Sequence, residues 1–159
     1  MPTLNRSRVL CVDDDEDACE IFRLLMSTYG FDATCVQSAE AAWPLIKQQP
    51  FDLYILDGWL PRIDGFEFCR QLRELDAETP ILFYSGAAFE SDKRNGMAAG
   101  ANAYVTKPDF EGLIEAITNL TAEATGGRDV ESRWVGSQQR EPATSAFSTQ
   151  FFSVASAGD

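Results

Sequence analysis

Charged residues directly follow three short apolar runs in this sequence. The charged residues are Asp13, Asp14, Asp15, Asp57 and Lys107. Carboxylates of this kind bind a hard divalent cation, and a lysine binds the phosphoryl group that such a cation also contacts. If the chain brings these residues together, their side chains predict phosphate chemistry on an aspartate.

The elements between these residues determine whether they meet. Each apolar run is typical of a buried strand, and helix-length amphipathic segments separate the runs. Strands of this type form parallel sheets that are covered on both faces, and their carboxyl ends lie at one edge. The pattern therefore predicts an α/β fold with a doubly wound, five-stranded parallel sheet and helices on both faces.

The flavodoxin-like strand order 2-1-3-4-5 makes strands one and three neighbours, and ligands bind beyond their carboxyl ends. The predicted strands cover residues 9–12, 33–36, 53–56, 81–84 and 103–105. The predicted helices cover residues 15–29, 39–48, 66–75, 90–99 and 110–124. Asn95-Gly96 interrupts the fourth helix, and the glycine lowers its stability by roughly 1 kcal/mol relative to alanine.

Length and composition indicate one domain with an appendage. The chain has 159 residues, and its hydrophobic content of 45% is enough for a sizeable core. We predict a domain at 1–124 and a C-terminal tail at 125–159 that is rich in Gly, Ser and Thr. The tail also contains aromatic residues, so we expect either a flexible segment or one that docks.

Charge and residue usage exclude several functions. The net charge is −12 and no basic stripe is present, which argues against a nucleic-acid partner. No apolar stretch approaches the ~20 residues that span a membrane, so we expect a cytoplasmic protein with no membrane partner. Four scattered cysteines are expected to be buried, reduced thiols. With no histidine in the chain, any phosphohistidine donor must be another protein.

Several motifs, in order along the chain, together resemble the receiver domain of bacterial two-component response regulators over about residues 7–122. The matching pieces are Val9-Leu10-Cys11-Val12-Asp13-Asp14-Asp15, Leu56-Asp57, Pro61, Asp64-Gly65, Ser85-Gly86 and Tyr104-Val105-Thr106-Lys107-Pro108. The order and spacing of these pieces are specific, whereas each piece alone is weak. The triplet from Asp13 to Asp15 alone, for example, is equally consistent with a cap on helix one, and we expect Asp15 to have that role.

The resemblance implies a role for each matching residue. Asp57 is the implied phosphoacceptor, and Lys107 and Ser85 contact the phosphoryl oxygens. The implied Mg²⁺ ligands are Asp13, Asp14, Asp57 and the backbone carbonyl of Trp59. Ser85 and Tyr104 are the implied switch residues, which remodel the face made by helix four, strand five and helix five.

The resemblance also implies the partners of the chain. The chain is similar to a stand-alone receiver, which is not an enzyme. Such a receiver takes phosphate from a histidine kinase or phosphotransfer protein. It then signals to an output protein, which the sequence does not identify. Members of this family often form homodimers through the helix-four to helix-five face, and the sequence leaves that question open. Trp59 stands two residues after Asp57, and its bulk predicts slow autodephosphorylation.

Three alternatives remain. A hydrolase of the haloacid-dehalogenase type would use an aspartyl phosphate, but such enzymes usually carry an acid/base Asp where this chain has Trp59. A receiver fold could also act as a scaffold that is never phosphorylated. A flavodoxin-like cofactor protein is disfavoured by the acidic cleft and by the lack of a Ser/Thr/Gly-rich phosphate loop after strand one.

Overall fold

The computed structural model describes residues 5–125 as five strands alternating with five helices. The strands are β1 (Arg8–Val12), β2 (Asp32–Val36), β3 (Leu53–Leu56), β4 (Ile81–Ser85) and β5 (Ala103–Thr106). The helices are α1 (Glu16–Thr28), α2 (Ala39–Gln48), α3 (Gly65–Leu75), α4 (Glu90–Ala99) and α5 (Phe110–Thr125). The predicted ends of these elements differ from the observed ends by at most one residue. The predicted tail lies outside the described residues, apart from the last residue of α5.

The five strands form one parallel sheet in the order β2-β1-β3-β4-β5. The predicted α/β fold class and strand order are confirmed. β1 lies between β2 and β3, with Cys11 opposite Cys35 of β2 and opposite Ile55 of β3. Because every strand points the same way, the loops after β1, β3, β4 and β5 all begin at one edge of the sheet.

Alternate strand residues pack into two cores, one on each face of the sheet. On one face α2, α3 and α4 cover residues that include Leu10, Leu56 and Phe83. On the other face α1 and α5 cover Cys11 and Ile55. Burial on both faces explains why β1 and β3 are continuous apolar runs.

Helix α1 begins at an N-cap that belongs to the acidic triplet. The Asp15 carboxylate accepts hydrogen bonds from the backbone N–H groups of Asp17 and Ala18. The buried stripe of the helix is Cys19, Phe22 and Met26. Ile21 is also apolar, but it is 55% exposed because it lies beside this stripe.

Two of the four cysteines differ from the sequence prediction. Cys11 and Cys69 are buried free thiols, as expected. Cys19 and Cys35 instead form a disulfide, so the prediction of reduced thiols is wrong for this pair. The sequence places them 16 residues apart, and only the packing of α1 beside β2 brings their Cα atoms to 5.5 Å.

Helix α4 contains a glycine that the sequence marked as a weakness. A Cβ atom at Gly96 would lie 2.9 Å from the Tyr104 ring and 3.1 Å from the Phe83 ring. The two rings are themselves stacked, with centroids 5.6 Å apart. Gly96 therefore allows α4 to approach β4 and β5 closely. Within the described part of the chain, no helix is long and apolar enough to cross a membrane.

Candidate functional site

Asp57 lies at the centre of the carboxyl edge of the sheet, directly after β3. Its backbone N–H donates to the Val12 carbonyl, which extends the β1–β3 pairing to this residue. The residue is 8% exposed. A Cβ at Gly65 would lie 2.0 Å from the Asp57 carbonyl oxygen, so α3 can begin here only with glycine.

Four groups contact the Asp57 side chain or lie beside it. Its Oδ1 accepts hydrogen bonds from the Ser85 hydroxyl at 2.9 Å and from the Trp59 backbone N–H at 3.1 Å. Its Oδ2 accepts from the Lys107 ammonium at 3.1 Å. Cys11 is buried in the neighbouring strand, and burial, followed by the charge of Asp13, raises the pKa of its thiol. At neutral pH this buried neighbour stays an uncharged thiol.

Lys107 bridges two buried carboxylates. Its ammonium lies 2.5 Å from Asp13 Oδ2 and 3.1 Å from Asp57 Oδ2, and it also lies 5.6 Å from the centre of the Tyr84 ring. Burial lowers the pKa of Lys107, but the hydrogen bond that its ammonium donates to Asp13 and the charges of Asp57 and Asp13 outweigh this effect and raise the pKa to about 12. The lysine is therefore charged at neutral pH.

Asp13 and Asp14 complete an acidic group beside Asp57. Asp13 is 5% exposed, and its Oδ1 accepts from the Asp15 backbone N–H at 3.0 Å. Asp14 is exposed. One carboxylate oxygen from each of Asp13, Asp14 and Asp57 lies within 4.8 Å of the others.

The donor set of this acidic group fits a hard divalent cation. Lys107 supplies a single positive charge against three carboxylates, and carboxylates held this close repel one another. Because Asp14 is exposed, the three carboxylates leave room for coordinated water, which Mg²⁺ retains in proteins. The residues are therefore suited to a small, hydrated divalent ion.

The structure places the remaining candidates around this centre. Ser85 is fully buried at the end of β4, and its hydroxyl also accepts from the Ala87 N–H at 3.2 Å. The Trp59 backbone lies beside Asp57, whereas its indole is 69% exposed. All the candidates at the sheet edge, from Asp13 to Lys107, are thus brought together.

Tyr104 lies in β5 and turns towards α4. Its hydroxyl donates to the Ala87 carbonyl at 2.7 Å, and its ring packs on Phe83 and Gly96. Burial is the largest cause that raises the pKa of this phenol. Tyr104 therefore links the loop after Ser85 to helix α4.

Sequence reasoning missed two contributors to the site. Ala87 accepts one hydrogen bond from Tyr104 and donates one to Ser85, both through its backbone. Its side-chain type therefore gave no indication of these contacts. The Cys19 sulfur lies 3.4 Å from the Asp13 carbonyl oxygen. A cysteine one helical turn after the acidic triplet could have drawn attention to that contact.

Comparison with known proteins agrees with this geometry. Residues 9–118 match the model of the response regulator receiver domain. The chain therefore belongs to the family of response regulator receiver domains.

Two relatives illustrate the extent of the similarity. The response regulator MprA of Mycolicibacterium vanbaalenii is 38% identical over 119 residues, which cover 74% of this chain and 52% of the relative. The gliding motility regulatory protein of Myxococcus xanthus is 35% identical over 124 residues, which cover 76% of this chain and 16% of the relative. The chain thus spans about half or less of the length of these relatives.

Solved structures show the same fold. The receiver domain of the Francisella response regulator 1452 has 26% sequence identity and a TM-score of 0.71, with coverage of 76% of this chain and all of that domain. The chemotaxis response regulator CheY4 of Vibrio cholerae has 25% identity and a TM-score of 0.67, with coverage of 73% and 99%. The fold and the family are therefore established together.

Proposed function

We propose that this chain is a phosphorylation-controlled signalling module that accepts a phosphoryl group on Asp57. The observation that carries the proposal is the pair of contacts on the Asp57 carboxylate, with Ser85 on Oδ1 and Lys107 on Oδ2. A hydroxyl and an ammonium held there are positioned to contact the oxygens of a phosphoryl group attached to Asp57.

The transfer step follows from the chemistry of the carboxylate. An Asp57 oxygen attacks the phosphorus in line with the leaving group, and the new O–P bond replaces the P–N bond of a phosphohistidine. The imidazole leaves with the donor protein. Membership in the receiver-domain family supports a histidine kinase or phosphotransfer protein as that donor. Lys107 moves from the carboxylate to a phosphoryl oxygen, and Ser85 donates to another.

Asp13, Asp14, Asp57 and the Trp59 carbonyl are the proposed ligands of Mg²⁺. When bound, this ion neutralises charge on the phosphoryl oxygens. The support is the arrangement of the three carboxylates within 4.8 Å. Asp13 and Lys107 keep the site ordered, since each holds the other in a buried contact.

The proposed output is a protein contact on the face of α4, β5 and α5. Tyr104 supports this, because one side chain joins the loop after Ser85 to α4. A phosphoryl group that pulls Ser85 changes that loop and biases the position of Tyr104. Homodimerisation through this face is part of the proposal, as is a cytoplasmic location, which membership in the family supports.

Turnover of a small phosphate ester is a weaker candidate. Residue 59 is tryptophan, so the position two residues after Asp57 supplies no carboxyl group for acid/base catalysis. We therefore propose a signalling role rather than an enzymatic one. A receiver fold that acts only as a scaffold is tested by the same experiment as phosphoryl acceptance.

That experiment is a beryllofluoride titration of the full chain, followed by tryptophan fluorescence. Wild-type protein is expected to show saturable quenching that requires Mg²⁺, and Trp59→Phe identifies the share of the signal that comes from Trp59. Asp57→Ala is expected to abolish the response, and Asp32→Asn, at the opposite sheet edge, to retain it. An unchanged response in Asp57→Ala, or no response in wild type, contradicts the proposal.

A further inference from the structure

The pair Cys19 and Cys35 lies directly beneath the acidic group. Cys19 is in the first turns of α1, is 2% exposed, and contacts the Asp13 carbonyl oxygen through its sulfur at 3.4 Å. Cys35 precedes Val36, whose carbonyl accepts the Asp13 backbone N–H at 3.0 Å. The two cysteines therefore flank both backbone polar groups of Asp13.

The backbone geometry suits a bond between them. Their Cα atoms are 5.5 Å apart, which is within the usual range for disulfides. In the cytoplasm such bonds are uncommon, and those that form are usually transient and serve redox sensing or catalysis. A disulfide at this place therefore points to a reversible site rather than a permanent staple.

The redox state changes a contact on Asp13. A Cys19 thiol carries a proton and donates it to the Asp13 carbonyl, whereas a disulfide sulfur has no proton to donate. The disulfide instead fixes the first turn of α1 against β2. The acidic turn at 13–15 leads directly into α1, and the Asp13 backbone N–H donates to the Val36 carbonyl of β2. Bond formation therefore restricts the turn whose carboxylates are proposed to bind Mg²⁺.

We propose that Cys19 and Cys35 form a thiol–disulfide site that responds to low-molecular-weight disulfides and sets the metal affinity of the acidic group. The effect on metal binding and the reversibility of the bond rest on the proposed function and location above, whereas formation of the disulfide does not. Fixing the turn in its binding arrangement removes part of the ordering cost, so the oxidised form binds Mg²⁺ more tightly.

The proposed reaction is a two-step exchange. Cys35 is the more exposed of the two, and its thiolate attacks a sulfur of oxidised glutathione and releases one glutathione thiolate. Cys19, after losing its proton, then attacks the sulfur of Cys35 in the mixed disulfide and releases the second glutathione. Two cysteine thiols are oxidised, and one glutathione disulfide is reduced to two thiols.

The other two cysteines are suitable controls. Cys11 and Cys69 are buried, and burial is the largest cause that raises the pKa of each thiol, to about 11 for Cys69. At about pH 8 both remain protonated and react slowly. Cys69 lies on the opposite face of the sheet, so Cys69→Ser changes thiol chemistry without touching α1 or β2.

The first part of the test follows the covalent bond alone. Full-length protein is reduced, equilibrated with oxidised glutathione, alkylated and mapped by mass spectrometry. The expected result is a Cys19–Cys35 bond, with Cys11 and Cys69 alkylated after unfolding. No bond, or a bond between Cys35 and its strand neighbour Cys11, overturns the inference and leaves the proposed function intact.

The second part measures Mg²⁺ affinity from the Trp59 fluorescence of both redox forms. Oxidation is expected to tighten Mg²⁺ binding by roughly tenfold. This value is the lower end of the change in metal affinity seen when a group that contacts a metal ligand is altered. Cys35→Ser is expected to keep the Mg²⁺ affinity of the thiol form under both oxidising and reducing conditions. Cys69→Ser is expected to behave as wild type. Equal affinities in the two forms overturn the redox coupling. Absence of Mg²⁺ binding in both forms overturns the proposed function as well.

Discussion

Ser85 donates a 2.9 Å hydrogen bond from its fully buried hydroxyl to Oδ1 of Asp57. The same hydroxyl accepts from the Ala87 N–H, and the Ala87 carbonyl accepts from Tyr104. A chain of three hydrogen bonds thus runs from the carboxylate to β5. Displacement of Ser85 by a phosphoryl group would act on every member of this chain.

Replacement of Ser85 by alanine tests the first bond. Ser85→Ala removes one of the donors to a buried carboxylate, which is expected to weaken beryllofluoride binding by about 1–3 kcal/mol. Ser85→Thr keeps the hydroxyl and is expected to bind within a few-fold of wild type. The measurement is the fluorescence titration in Mg²⁺. Equal binding by Ser85→Ala and wild type would show that the hydroxyl has no role in the phosphorylated state.

Lys107 is expected to stabilise the folded domain as well as to bind phosphate. Lys107→Met leaves Asp13 and Asp57 buried side by side without a cation. We expect the free energy of unfolding without Mg²⁺ to fall by about 3 kcal/mol. This value is the lower end of the destabilisation caused by breaking a buried ion pair, and we choose it because 26% of the lysine side chain is exposed. Added Mg²⁺ should restore part of the loss, as measured by urea unfolding.

A surface lysine provides the control for this change. Lys93 pairs with the exposed Glu90 at 3.4 Å, and Lys93→Met is expected to change stability by less than about 1 kcal/mol. If Lys107→Met is no less stable than Lys93→Met, the ion pairs of Lys107 with Asp13 and Asp57 contribute nothing to the stability of the fold.

The stability that Lys107 provides should also depend on pH. Its folded pKa of about 12 is above the ordinary value of 10.5, so the folded state holds the proton more tightly than the unfolded state. The contribution is fully present below about pH 10.5 and is lost as the pH rises through about 12. The difference in unfolding free energy between wild type and Lys107→Met should therefore shrink over this interval. A constant difference would contradict the assignment.

Gly96 should resist replacement despite its place in a helix. Gly96→Ala gains up to about 1 kcal/mol of helix propensity. We expect the clash with the Tyr104 and Phe83 rings to outweigh this gain, since overpacking destabilises by about 1–3 kcal/mol. Asn95→Ala, one residue earlier and exposed, should stabilise instead.

A double-mutant cycle locates the clash. Tyr104→Ala removes the nearer of the two rings that a Cβ at residue 96 would meet, so Gly96→Ala should be less destabilising in that background. Thermal unfolding of the four proteins measures the interaction. Independent effects of the two substitutions would mean that Gly96 does not set the position of Tyr104.

The effect of Trp59 on the lifetime of the phosphoryl group stays a prediction. Its backbone N–H donates to the Asp57 carboxylate, and the residue is 69% exposed. We expect Trp59→Asn to lose phosphate several-fold faster, because a smaller polar side chain admits the attacking water, and Trp59→Phe to remain slow. The measurement is the decay of acyl phosphate after removal of the donor. Equal decay in all three proteins would exclude steric shielding.

The sheet and the location of the site could be predicted from the sequence. Continuous apolar runs indicated strands buried on both faces, and parallel strands necessarily gather residues such as Asp57 and Lys107 at one edge. Features that depend on contacts between distant elements could not be predicted in this way. The close approach at Gly96 requires the position of α4 over β5, and a glycine in a helix otherwise indicates only weakness.

The cysteines illustrate the same limit. Spacing along the chain gives no sign that Cys19 and Cys35 meet, because their proximity depends on how α1 lies on β2. The exposure of Ile21 has a similar origin, since helical spacing alone does not fix which side of the apolar stripe faces the sheet. Hydrogen bonds made by backbone groups, such as those of Ala87, cannot be predicted from the residue type.

The central claim is that Asp57 accepts a phosphoryl group, and the most direct measurement is the mass of the full chain after incubation with Mg²⁺ and acetyl phosphate. We predict the addition of one phosphoryl group that hydroxylamine removes, that peptide mapping places on Asp57, and that is absent from Asp57→Asn but present in Asp32→Asn. Phosphorylation that persists in Asp57→Asn, or none in wild type, would contradict the account.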